Sequence, residues 1–110
     1  MRTRCCVLAL ALLHAAAVGI AAQVRLAELS GTVTDESGAV LPGVAVTATH
    51  VGTKTQRSDV TQTSGTYFLA GLDPGVYEIR FELPGFTPVV VQNNRLAIGQ
   101  SQRLDTRLTL

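Results

Sequence analysis

Few side chains in this 110-residue sequence are of types that do chemistry, and their spacing limits what each could do. Beyond residue 22 there is one histidine, His50. Metal-dependent hydrolysis needs His and Glu at ligand spacing, a further His and a general base, and no His-x-x-Glu is present. A Ser-His-Asp triad could formally be assembled from His50, Asp59 and one of several serines. No Gly-x-Ser-x-Gly elbow supports it, and a lone histidine at the end of a strand-like run reads as a solvated polar residue. The carboxylates Asp35, Glu36, Asp59 and Asp73 invite a calcium reading. Calcium takes about six to eight oxygens, and no Asp-x-Asp-x-Asp-Gly run supplies them, so these read as solvated turn residues. No catalytic, cofactor-binding or metal-ligating residue is expected, and no cofactor.

Binding chemistry is thin as well. Sugar recognition needs exposed aromatic rings beside converging polar groups, yet there is no Trp and aromatics make up 5% of the chain. Alternation turns Tyr67, Tyr77 and Phe81 inward, leaving Phe68 and Phe86 as the candidate ligand-binding rings. Setting aside Arg2 and Arg4, the nine basic residues become seven, against eight acidic, a net charge of −1. The signs are interspersed, so there is no stripe for nucleic acid or anionic lipid.

The elements that must position these residues begin after a leader. Residues 1–22 combine Arg2 and Arg4, an apolar run from Cys5 to Val18, and small residues at the end, the pattern of a secretory signal peptide helix. A membrane span wants about 20 apolar residues, whereas His14 and Gly19 interrupt this run. Cleavage after Ala21 or after Ala22 fits equally. Both cysteines leave with the leader, so the mature chain has no disulfide and no thiolate metal site. Its 88 residues must be stabilised by burying their own apolar surface. Residues 23–28 read as a linker and 29–110 as one domain, without a membrane span.

Within that domain, turn signals recur at Glu36-Ser37-Gly38, Pro42-Gly43, Gly52, Ser64-Gly65, Asp73-Pro74-Gly75, Pro84-Gly85, Asn93-Asn94 and Gly99. Between them lie short runs rich in β-branched and aromatic residues. Val76–Leu83 alternates Tyr77, Ile79, Phe81 and Leu83 against Val76, Glu78, Arg80 and Glu82, a half-buried strand. The last stretch sets Leu104, Thr106, Leu108 and Leu110 against Arg103, Asp105, Arg107 and Thr109. Leu29–Asp35, Val44–His50, Lys54–Thr61, Tyr67–Ala70 and Val89–Val91 complete seven strands, with polar Lys54–Thr61 at an edge. Seven short strands with turns every 8–12 residues predict an all-β sandwich. Pro74-Gly75 suits the centre of a type II turn. Tyr77, two residues on, suits a tyrosine corner, its hydroxyl bonded to a loop carbonyl.

Three segments together resemble the carboxypeptidase regulatory-like domain. They are Gly31-Thr-Val-Thr-Asp35-Glu-Ser-Gly38 with Pro42-Gly43, then Ser64-Gly65-Thr-Tyr67, then Pro74-Gly75-Val-Tyr77 with Pro84-Gly85-Phe86. The resemblance covers about residues 28–110. It implies a seven-stranded antiparallel Greek-key sandwich of transthyretin-like topology, grouped with the carbohydrate-binding-like folds. It also implies fold-specifying roles for Gly31, Asp35, Gly38, Gly43, Gly65, Tyr67, Pro74, Gly75, Tyr77 and Gly85. Gln62 departs from the pattern, standing where such domains usually carry Asp.

The same resemblance implies a non-catalytic, exported accessory module, like those at the N-termini of Oar-like TonB-dependent outer-membrane receptors. Its setting would be periplasmic or outer-membrane-associated, or secreted. Its partners would be proteins or adjoining receptor domains, and the chain would be a receptor fragment or a free-standing module. Two alternatives follow from the fold grouping: a carbohydrate-binding module, and a small secreted transthyretin-like hydrolase. The hydrolase known on this fold draws on several His and Arg residues and a Tyr-Arg-Gly-Ser ending, where this chain reads Leu108-Thr109-Leu110. Related Gram-positive surface sandwiches carry a Lys–Asn isopeptide bond from their first strand; the mature chain's lysine is Lys54, in a polar stretch.

Overall fold

Alternation of apolar and polar residues leaves each strand one face to hide, and two sheets stacked face to face hide both. The computed structural model describes residues 25–110, so the expected signal peptide lies outside the described residues. Eight strands follow in order: β1 (Ala27–Thr34), β2 (Ala45–His50), β3 (Gln56–Val60), β4 (Thr66–Leu72), β5 (Gly75–Glu82), β6 (Val89–Leu96), β7 (Ser101–Arg103) and β8 (Thr106–Arg107). One sheet has the order β4-β1-β7, with β8 also pairing β1; the other has the order β3-β2-β5-β6. The expected all-β sandwich is the observed one.

Strand periodicity builds the core directly. Leu29, Val33, Tyr67 and Leu69 of the first sheet meet Val46, Ala48, Tyr77, Ile79 and Phe81 of the second, all buried. Each large side chain hidden this way contributes about 1.5–3 kcal/mol. Tyr67 and Phe81 pack edge to face, ring centroids 5.6 Å apart, the geometry favoured by the aromatic quadrupole. Leu110, expected inward with Leu104 and Leu108, is instead 86% exposed, because it lies beyond the last pairing with β1.

The sheets differ from the expected all-antiparallel set of seven at the end of the chain. The final strand is two strands, and both run parallel to β1: Ser30 pairs with Arg103, and Val33 with Thr106. Between them the chain kinks at Leu104-Asp105. The Leu104 N–H donates to Ser30 O (2.8 Å), but the N–H of Thr32 donates to the Asp105 side chain (2.9 Å) instead of a carbonyl. Alternation reports which face a residue takes, not which neighbour its strand joins or in which direction.

Two loop readings change as well. Asn93-Asn94, expected as a turn, lies inside β6, which runs on past Val91 to Leu96. There the register slips opposite Glu78, and Asn93 takes φ 57°, a β-bulge. Asn tolerates that left-handed conformation, so the same residue type serves a turn or a bulge. β1 likewise begins at Ala27, two residues inside the expected linker.

Both open corners of the sandwich are joined by side chains. Asp59 on β3 accepts from the Phe68 N–H on β4 (2.9 Å), linking the edge strands of the two sheets. At the other corner Asn94 of β6 and Gln102 of β7 exchange amide hydrogen bonds of 3.0 and 2.9 Å. Such pairings cover edges that would otherwise recruit other strands.

Candidate functional site

The residues singled out from the sequence fall into three groups, two of them structural. Asp35 closes the β1–β2 turn: its Oδ1 accepts from Ser37 Oγ (2.6 Å), Ser37 N (2.8 Å) and Ala39 N (3.0 Å). Those donors, the Ser37 hydroxyl foremost, hold its carboxyl below the usual range. Gly38, Gly43, Gly65 and Gly85 sit at φ 89°, 82°, 75° and 89° in the turns that follow the strands. Gln62, the departure from the family pattern, donates its N–H to Thr66 O, so the Ser64-Gly65 turn closes through backbone.

The second group is a pair of tyrosine-anchored crossings. The Tyr67 hydroxyl donates to Leu104 O (2.6 Å), and burial pushes its phenol pKa up. That carbonyl leans over β1 at Gly31, where an added Cβ would overlap it, so only glycine fits beneath the kink. At the opposite end Tyr77 donates to Asp73 O (2.7 Å) and packs against His50, centroids 5.1 Å apart. His50 Nδ1 accepts from Gly52 N and Thr53 N (3.1 Å each), and Nε2 lies 3.1 Å from Pro74 O. Both ring nitrogens are therefore spent on backbone, rather than solvated as the sequence suggested. Asp59, the formal triad partner, is engaged by Val60 N and Phe68 N.

Pro74-Gly75 is not the expected type II turn. Gly75 opens β5 at φ 147°, far from the ~80° of such a turn. The ring of His50 occupies the space a Cβ would need there. The type II geometry lies one loop later, where Gly85 has φ 89° and Phe86 N donates to Leu83 O (3.0 Å). A further determinant escaped the sequence reading altogether. Thr61, 4% exposed, takes a hydrogen bond from Val44 N (2.9 Å) and gives one to Leu41 O (2.6 Å), bridging the Pro42-Gly43 turn. Nothing in a Thr-Gln-Thr-Ser run marks one threonine for burial.

The third group lines a cavity of about 220 Å³ at one end of the sandwich. Its walls are the Asp35-Glu36-Ser37 turn, Phe86 and the C-terminal residues Leu108 and Leu110. Leu108 is fully buried and pinned by its N–H to Thr34 O (2.8 Å); Thr87 N donates to Thr109 O (2.7 Å), tying the Phe86 loop to the same segment. Phe68, the other candidate ring, is 53% exposed on the outer face of β4 and takes no part in this cavity. The two rings thus form no shared platform. Across the first sheet Phe68 stands level with Ser30 and Arg103, whose guanidinium pairs with Asp105 (3.2 Å). Among the described residues no three His, Cys, Asp or Glu side chains converge.

Two stacked, mainly antiparallel sheets define the class: an all-β sandwich. Over residues 28–109 the chain matches the carboxypeptidase regulatory-like domain, and it belongs to that family. No curated protein sequence matches it. Among solved structures it resembles chlorocatechol 1,2-dioxygenase from Pseudomonas putida (TM-score 0.62, 13% identity, 78% of this chain and 61% of that one). It also resembles a candidate carbohydrate-binding protein from Bacteroides uniformis (TM-score 0.61, 20% identity, 74% and 40%). A Streptococcal ancillary pilin matches at TM-score 0.58 and 16% identity, over 80% of this chain and 33% of that one. At such identities the likeness is one of fold. The chain spans less than two thirds of the length of each of these three proteins.

Proposed function

We propose that the chain is a non-catalytic, exported accessory module that makes protein contacts as the periplasmic N-terminal domain of a TonB-dependent outer-membrane receptor-like protein. One observation carries the non-catalytic part: both nitrogens of His50, the one imidazole among the described residues, are bonded to backbone. A ring so engaged has no lone pair or proton left for a substrate. Family membership over 28–109 and the signal-peptide-like leader support the rest. Two measurements test it. Fused ahead of alkaline phosphatase in a Gram-negative host, the chain should give activity with residues 1–22 and none without them. Sequencing the reading frame past Leu110 should show a plug and a barrel. A cytoplasmic fusion, or a stop codon directly after Leu110, would overturn the receptor reading.

Carbohydrate binding is a second reading, favoured by the exposed Phe68 ring in line with Ser30 and Arg103 on the outer face of the first sheet. Ring stacking and a planar guanidinium suit a sugar's apolar face and its hydroxyls. Retardation in gels containing soluble polysaccharide, abolished by Phe68→Ala, would support it. Equal mobility in every polysaccharide would remove it.

A further inference from the structure

The cavity at the Asp35 end has a floor and a rim of different chemistry. Leu108 forms a buried floor, Phe86 a half-buried aromatic wall and Leu110 an exposed apolar lip. Opposite these stand Asp35 and Glu36, and among the described residues neither makes an ion pair. About 220 Å³ is below the ~300–1,000 Å³ of small-molecule and cofactor sites; it is room for one long side chain. All three walls are tied by backbone hydrogen bonds, Gly38 N to Asp35 O, Phe86 N to Leu83 O and Leu108 N to Thr34 O, so the shape is preformed.

We propose that this cavity is the anchor point for an arginine side chain of the protein partner, its aliphatic stem on Leu108 and Leu110 and its guanidinium between Phe86 and the Glu36 carboxylate. Long cationic side chains bury their stems while their heads seek charge. Arginine suits the site better than lysine because a planar cation stacks on a phenyl face and pairs with carboxylates in a fixed fork. Arginine is also among the residues that dominate protein interfaces. Glu36, a carboxylate without an ion pair among the described residues, beside an apolar floor selects this occupant over a purely apolar one.

The proposal rests on the protein-contact reading, and its test separates the two. Titrating n-butylguanidinium into the 15N-labelled protein should shift the amides of Glu36, Ser37, Phe86 and Leu110 saturably, with a roughly millimolar dissociation constant. n-Butanol should shift them several-fold less. Glu36→Gln, on an exposed turn, should keep the fold and weaken the probe about threefold or more. Shifts that are absent, centred elsewhere, or equal for butanol or in Glu36→Gln would overturn the anchor. A partner crosslinked in cells that is retained in full by Glu36→Gln would also sink the anchor and leave the protein-contact reading standing. Probe binding without any crosslinked partner would do the reverse.

Discussion

Replacing Thr61 by Val tests how much of the fold hangs on one hydroxyl. The two residues share a shape, so packing is retained, as are the backbone bonds Gly43 N to Thr61 O and Thr61 N to Val44 O (2.9 Å each). What disappears is the bridge across the Pro42-Gly43 turn: the bond from Val44 N and the bond to Leu41 O. Val44 is fully buried, so its N–H is left without water or partner, at about 1–3 kcal/mol. Leu41 is only half-buried, so loss of the bond to its carbonyl adds about 1 kcal/mol or less. The expected loss is about 1–4 kcal/mol, a large part of the ~5–15 kcal/mol typical of a domain. With a urea slope of about 1–2 kcal/mol/M, the midpoint should fall by roughly 0.5–4 M at unchanged slope. Thr61→Ser keeps both bonds and loses one buried methyl, about 1 kcal/mol. Equilibrium urea denaturation followed by circular dichroism compares the three proteins. If Thr61→Val were as stable as Thr61→Ser, the hydroxyl bridge would carry no weight and the reasoning would fail.

Gly31→Ala should cost about 3 kcal/mol or more, since the new Cβ must push away the Leu104 carbonyl and with it the bond from Tyr67; a thermal melt within a degree or two of wild type would contradict the crossing. Acid should weaken the fold through Asp35 and Asp105, both held below the usual carboxylate range by hydrogen bonds, from Ser37 and from the Thr32 N–H respectively. A lowered folded pKa means stability that is present above the unfolded value of about 3.9 and is lost as pH falls through the folded one. The urea midpoint should therefore drop below about pH 4, and the double variant Asp35→Asn, Asp105→Asn should flatten that slope; an equally steep slope would refute the assignment.

Much of the fold was legible one strand at a time. Tyr77, Ile79 and Phe81 against Glu78, Arg80 and Glu82 could only be a half-buried strand, and the polar run around Gln56–Val60 is indeed an edge. The Asp35 turn was readable because its determinants are local: a carboxylate two and four residues before the N–H groups it caps. The candidate cavity was only half visible. Phe86 stood out as a ring without a place, but its neighbours Glu36 and Leu110 lie 50 and 24 residues away, and no local pattern joins them.

Chain-local chemistry, then, was the sequence's own province: period-2 burial, the sandwich class and the family motifs. Tertiary structure decided everything that depends on two distant segments meeting. It turned the last strand parallel to β1, broke it over Gly31 so that Leu104 could reach Tyr67, spent His50 on the Pro74 and Gly52 loops, and buried Thr61 beneath the Pro42-Gly43 turn. The physical reason is common to all four. A side chain's face follows from its own backbone, but its hydrogen-bond partner and the space left for its Cβ are set by atoms that only folding brings near.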